Sequence, residues 1–155
     1  MIVRNIDKAL DIIGGWRSKI SWTNGCFDMF HAGHALSLNY ISISRPDSKL
    51  IVGINSDDSI RRIKGHDRPI IDEDNRAIIV DHIKNVDLVI IFDDDTPYNV
   101  VSKIKPDYIF KGEEYNGKYV CGSEFGEVVF IPLFNKSELS TTSIINRIRG
   151  LHGPE

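Results

Sequence analysis

The chain has 155 residues, of which 41% are hydrophobic and 26% charged, and a formal net charge of −3. That is the make-up of one globular domain, whose length lets it bury about two thirds of its unfolded surface in a single core. The charge excludes nucleic acid as a bulk partner, so an anion site has to be local.

The first residues, MIVRNIDKALDIIGGW, lack the pattern of a signal peptide, and no run of about 18 apolar residues reads as a membrane span. The expectation is a cytoplasmic protein without a membrane partner. Cys26 and Cys121 are far apart and lack CxxC spacing, which predicts free buried thiols instead of a zinc ribbon or a disulfide scaffold.

In chain order, residues 5–13 have helical spacing and Gly14-Gly15 close that helix. Five short runs rich in β-branched and aromatic residues, 19–24, 49–55, 87–92, 107–112 and 127–132, read as buried strands. Segments of helical period lie among them at 33–45, 57–63, 72–83, 97–104 and 141–149. Thr96 followed by Pro97, and Ser140, are expected helix caps. This alternation predicts an α/β fold with an open parallel five-stranded sheet, right-handed crossovers and helices on both faces. One domain over 1–155, with its core at about 19–149, is expected.

Ligands of such sheets bind beyond the carboxyl ends of the strands. There the sequence places Asn24-Gly25, Asn55-Ser56-Asp57, Asp93-Asp94-Asp95, Lys111-Gly112-Glu113 and Ser140-Thr141-Thr142. Asp93 to Asp95 are read as a polar loop in preference to a magnesium site. Arg61, Arg62, Lys64 and Arg68 form a basic cluster, either a solvated face or an attractor for phosphates.

The stretch TNGCFDMFHAGHALSL, 23–38, contains neither a GxxxxGK[ST] loop nor GxGxxG. Gly25 allows a tight turn, and Gly33 lets phosphate oxygens approach the amides at a helix start, where the dipole is positive. His31 and His34 would flank that anion and donate to oxygens whose charge grows as a P–O bond breaks. A metal held by Cys26, Asp28, His31 and His34 is an alternative, although helical zinc pairs usually sit at i and i+4. Solvated or core histidines are another. His66, His82, His152, Trp16 and Trp22 suggest no role.

TNGCFDMFHAGH resembles the signature of the HxGH, or cytidylyltransferase-like, nucleotidyltransferases. The blocks LIVGINSDDSIRRIKGHDRPI, EDNRAIIV, VDLVIIFDDDTP, PDYIFKGEEY and EVVFIPL…LSTTSIINRI follow in order. Together they resemble the adenylyltransferase domain of ADP-heptose synthase. The resemblance implies a Rossmann-like sheet of order 3-2-1-4-5. It also implies transfer of AMP from ATP to a sugar 1-phosphate of the heptose type, with release of pyrophosphate. Mg²⁺ would arrive with the nucleotide, and no protein nucleophile would be needed. His31 and His34 would be catalytic. Thr23, Asn24, Gly25, Phe27, Asp28 and Gly33 would form the phosphate floor. Arg45, Arg76, Ser140, Thr141 and Thr142 would contact the nucleotide. Asn55, Asp57, Lys64, Lys111 and Gly112 would serve the acceptor.

The family's KGGDY is KGEEY here, which adds bulk and charge near the acceptor, and the glycine usual before STT is replaced within NKSEL. A cytidylyltransferase acting on glycerol 3-phosphate and a non-catalytic nucleotide-binding module are the competing readings. A homodimer is the expected assembly.

Overall fold

The computed structural model describes residues 1–132, 134 and 140–151. The altered segment NKSEL and His152 lie outside the described residues. The elements are β1 (Ile2–Val3), α1 (Ile6–Gly14), β2 (Lys19–Gly25), α2 (Ala32–Ser44), β3 (Ser48–Asn55), α3 (Asp57–Lys64) and α4 (Glu73–Asp81). Then come β4 (Leu88–Phe92), α5 (Tyr98–Ile104), β5 (Tyr108–Gly112), a 3-10 turn (Glu113–Tyr115), β6 (Glu127–Ile131) and α6 (Thr141–Leu151).

Among the described residues the sheet is parallel and has six strands, not five, in the order β1-β4-β3-β2-β5-β6. The strand that sequence reading missed is Ile2–Val3, which pairs with Val89 and Ile90 at the sheet edge. Two residues are too few to show a period, and the helical spacing that follows them masked the strand.

Strand sides alternate with period two, as the pleat requires. Leu50, Val52, Ile54, Val89 and Ile91 face one core layer with Leu38 and Ile41 of α2 and Ala77 and Val80 of α4. Ile51, Leu88, Ile90 and Phe92 face the other with Val100, Val101 and Ile104 of α5. Trp22, fully buried, packs over Gly53, where a Cβ would come within 2.4 Å of the indole.

Helix starts follow the sequence at several points. Asn5 caps α1, Ser56 caps α3 and Asp72 caps α4, each accepting a backbone N–H from the first turn. Thr96 does not cap α5. The helix begins one residue later, with Pro97 at the capping position and no side-chain cap, and the Thr96 hydroxyl bonds the Cys121 thiol instead.

From β2 the chain runs outward through β3 to β4 on one side, and later returns to lay β5 and β6 on the other. The order therefore reverses between β2 and β5. Loops leaving those two strands in opposite directions open a crevice at their carboxyl ends.

Candidate active site

That crevice holds a cavity of about 570 Å³. Thr23, Asn24 and Gly25 at the end of β2 form its floor, and His31, Gly33 and His34 at the start of α2 form one wall. Lys111 and Gly112 at the end of β5, and Ser140, Thr141 and Thr142 at the start of α6, close the other sides.

The turn between β2 and α2 is held in an uncommon shape. Phe27 and Met29 both have φ of 50°, the left-handed region that costs a non-glycine residue about 1–3 kcal/mol. Asp28 between them is buried, and its carboxylate accepts the amides of Ile70 and Ile71 at 3.0–3.1 Å and pairs with Arg68 Nε at 2.7 Å. Burial alone would push this carboxyl up, but those amides and Arg68 outweigh it and hold it below its ordinary value. The Asp28 carbonyl also accepts from Thr141 Oγ1 at 2.7 Å, which fixes the start of α6 to the turn.

Asp28 is therefore a clamp behind the cavity and not part of a phosphate floor. Its commitment to Arg68 also removes the carboxylate that the metal alternative needed. Among the described residues no three His, Cys, Asp or Glu side chains converge to hold a metal.

His31 occupies the capping position of α2 with extended φ of −137°. Its backbone N–H points to His34 Nδ1 at 3.4 Å, and the two rings stack with centroids 3.8 Å apart and planes 24° from parallel. Phe27 and Phe30 pack on His34 at centroid distances of 5.2 and 5.4 Å. Burial lowers the His31 pKa. Burial, then the neighbouring His31 and Lys64, push His34 down to about 4, so that ring is neutral at pH 7. His31 Nδ1 is buried and has no hydrogen-bond partner among the described residues. Two crowded, neutral imidazoles with unspent hydrogen-bonding capacity respond strongly to negative charge, because a nearby polyphosphate raises their proton affinity and recruits their N–H groups.

Lys111 faces the same space. Its Nζ donates to Asn24 Oδ1 at 2.6 Å and lies 5.7 Å from the Tyr115 ring centroid. Burial lowers this ammonium to about 8, and a bound anion would raise it again. Lys64, at the end of α3, also borders the cavity.

Other expected contacts are already spent within the protein. Ser140 Oγ accepts the Ser143 amide at 3.0 Å, an N-cap, and Thr141 is bonded to Asp28, whereas the Thr142 side chain, which lines the cavity with them, forms no hydrogen bond among the described residues. Thr23 Oγ1 donates to the Phe110 carbonyl at 3.2 Å, and Gly112 leaves room for Glu114, whose Oε2 would lie 2.2 Å from a Cβ there.

Two expected nucleotide contacts are corrected. Arg45 follows α2, and a helix of 13 residues carries it about 20 Å from the histidines. It sits at the amino ends of the strands, 4.5 Å from the Tyr108 ring centroid and 3.3 Å from Glu127. Arg76 is fully buried and donates to the carbonyls of Ile71, Cys26 and Asn55 and to Asp57 Oδ1, so it ties the loops together from beneath. Asp57 is spent on Arg76, whereas Asn55 donates to Ser59 Oγ at 3.0 Å and borders a second chamber.

The basic cluster divides in the same way. Arg61 pairs with Asp58, Arg62 with Asp95 and Arg68 with Asp28, while Lys64 borders the cavity. Asp93 accepts from Ser56, consistent with a polar loop. Both thiols are free but half-buried, not buried as expected, and Cys26 lines the cavity. Ser37 and Tyr115 also line it and were not singled out from the sequence. Tyr115 follows β5 at the carboxyl edge, a placement that could have marked it.

A family profile described as cytidylyltransferase-like matches residues 22–147, which span this whole constellation. The chain belongs to the cytidylyltransferase-like family. It is 46% identical over 134 residues to the bifunctional protein HldE of Campylobacter concisus, covering 86% of this chain and 28% of that protein. Against the bifunctional protein HldE of Helicobacter pylori it is 38% identical over 148 residues, 95% of this chain and 31% of the relative. The chain thus spans less than a third of these relatives.

Among solved structures, a lipopolysaccharide core biosynthesis protein from Thermoplasma volcanium superimposes with a TM-score of 0.59 at 24% identity, over 76% of this chain and 97% of that one. A pantoate-beta-alanine ligase from Francisella tularensis gives 0.66 at 12% identity, over 100% and 80%. These two likenesses extend to the fold. Among the described residues no helix is long and apolar enough to cross a membrane.

Proposed function

We propose that this chain is a cytoplasmic nucleotidyltransferase that transfers AMP from ATP to a sugar 1-phosphate of the heptose type and releases pyrophosphate. The observation that carries the reading is the stacked pair His31 and His34, 3.8 Å apart, facing the same cavity as Lys111. A module built only to hold nucleotide gains nothing from neutral imidazoles kept at the cost of burial. Groups that strengthen their bonds as charge develops serve a transition state.

In this reading the triphosphate lies over Gly25 and Gly33, with the amides at the start of α2 and the Thr142 side of α6 receiving its oxygens. An oxygen of the acceptor's phosphate forms a bond to the α-phosphorus as the bond to the bridging oxygen breaks, and pyrophosphate leaves with that electron pair. The attacking oxygen is already anionic, so no protein base is required. His31 and His34 donate to the pentavalent centre and the leaving group, and Lys111 offsets charge between the two substrates. Mg²⁺ supplies charge neutralisation on the triphosphate. The donors of the cavity suit an ion carried by phosphates and water, since Glu114 is the carboxylate among its described lining residues.

The choice of AMP and of a heptose-type acceptor is supported by the likeness of the blocks following the HxGH motif to the adenylyltransferase domain of ADP-heptose synthase. The test is pyrophosphate release by purified protein with Mg²⁺, each of ATP and CTP, and a panel of aldose 1-phosphates and glycerol 3-phosphate. Turnover is expected with ATP and heptose 1-phosphate. CTP-only turnover overturns the base, and silence with every pair overturns the reaction. We also propose a homodimer, which sedimentation equilibrium tests directly.

A further inference from the structure

Beside the histidine cavity lies a second chamber of about 610 Å³. The two share Asn24, Gly25, Cys26, Lys64, Lys111 and Tyr115, so both lysines stand on the common wall. Beyond that wall, the second chamber has borders of its own: Asn55 at the end of β3, Thr96 and Tyr98 at the start of α5, and Tyr119 and Cys121 in the segment after β5.

Its chemistry differs from that of the first cavity. Three of the chain's five tyrosines line it, and all three are exposed: Tyr98 by 42%, Tyr115 by 43% and Tyr119 by 71%. Tyr98 is held as a fixed wall, with its ring edge-on to Phe125 at a centroid distance of 5.7 Å and its hydroxyl bonded to Glu124. Asn55 and Thr96 add amide and hydroxyl groups along the same surface. Exposed aromatic rings interleaved with short polar side chains suit a polyhydroxylated body, whose C–H faces stack on rings while its hydroxyls bond the polar groups. A three-carbon alcohol phosphate would leave most of such a volume and most of those rings uncovered.

We propose that this second chamber binds the sugar body of the acceptor, with Tyr98, Tyr115 and Tyr119 as its stacking walls and Lys64 and Lys111 gripping the acceptor's phosphate on the shared wall. The proposal rests on the nucleotidyl-transfer reading. It adds the place from which attack comes: a phosphate held at the shared wall has its sugar on one side and the α-phosphorus on the other. Tyr98 and Tyr119 border the second chamber and not the first, so they are specificity-determining residues that touch the sugar and leave the nucleotide untouched, while Tyr115 stands on the shared wall.

The experiment has two arms. In the kinetic arm, Tyr119→Ala raises the KM for heptose 1-phosphate by about tenfold, the loss of one stacking surface, while kcat and the KM for ATP stay within about twofold. In the labelling arm, Cys121 serves as a reporter because it borders the second chamber and not the first. Heptose 1-phosphate slows its modification by N-ethylmaleimide, read by mass spectrometry, whereas ATP with Mg²⁺ does not. Inorganic phosphate protects far less than the sugar phosphate, and Lys111→Met weakens protection by both.

Turnover with an unchanged acceptor KM in Tyr119→Ala overturns the chamber assignment and leaves the reaction standing. Unprotected Cys121 overturns it as well, whether or not turnover is seen. Protection of Cys121 without pyrophosphate release from any pair supports a sugar phosphate site while removing the transfer reaction, so the two readings fail separately.

Discussion

Two cavities of similar size differ in their chemistry. A pocket of about 680 Å³ lies where β4 meets α3, α4 and α5, against 570 Å³ at the histidines. Its polar walls are largely spent on one another: Arg4 pairs with Glu73 and Asp74, Ser56 donates to Asp93, and Asn99 donates to Asp94. The histidine cavity holds the opposite arrangement, with an orphaned imidazole nitrogen, a second imidazole lowered to about 4 and a lysine lowered to about 8. Size reports how helices splay from a sheet edge. Unspent polar groups held at a cost report what the surface awaits.

Arg76 lies between the two regions and gives the strongest way to break the contrast. It bonds the Cys26 carbonyl on the histidine side and Asp57, whose own amide donates to Glu73 on the other. Removing a fully buried guanidinium strands Asp57 and three carbonyls, so Arg76→Ala is expected to cost about 3–5 kcal/mol of stability in denaturant titrations. If Arg76 were a nucleotide contact, the variant would keep its stability and lose affinity for ATP alone.

Next in size are the histidines. His31→Ala and His34→Ala should each lower kcat by about 10²–10³, as the loss of one transition-state donor does, with a smaller change in the dissociation constant for ATP. Wild-type turnover in the double variant would refute the role assigned to the stacked pair. Equal losses in affinity and rate would make the pair a ground-state anchor, which would erase the distinction drawn between the two cavities.

The Lys111 prediction concerns pH. Its amine is lowered to about 8, so it is charged below that value and loses its proton above it. In the free enzyme, kcat/KM for the acceptor is therefore expected to fall as pH rises through about 8. Lys111→Arg keeps its charge throughout this range and flattens the alkaline limb, at about tenfold lower kcat/KM because the guanidinium fork differs from a compact ammonium. An alkaline limb that persists unchanged in Lys111→Arg assigns it to another group.

These predictions also mark what was legible in the sequence. The alternation of strands and helices was readable because central strands such as β3 and β4 are apolar runs buried on both faces, and the cavity lies where such sheets change direction. Gly25, Gly33, His31, His34 and Lys111 came together at one cavity because their side chains, or their lack of one, lie at the point where the sequence places them. Arg45, Arg76, Asp28 and Asp57 did not, since the destination of a long or charged side chain depends on partners 19 to 82 positions away, such as Asp57 for Arg76 and Glu127 for Arg45. The two-residue β1 and the tyrosine-lined chamber are likewise products of tertiary assembly, which no local pattern encodes.

The smallest expected effect tests the quiet side of the contrast. Arg4 is half exposed and its partner Asp74 is three-quarters exposed, so the pair is screened by solvent and gains little from the fold. Arg4→Ala is expected to change stability by no more than about 1 kcal/mol, and to leave kcat and both KM values unaltered. The pocket it borders then behaves as a satisfied surface. A fall in kcat there would mean that the clamp from Glu73 to the Asp57 amide, and through Arg76 to the loop before His31, transmits strain into the site. The boundary between the spent and unspent regions would then run through the ion pairs of α4.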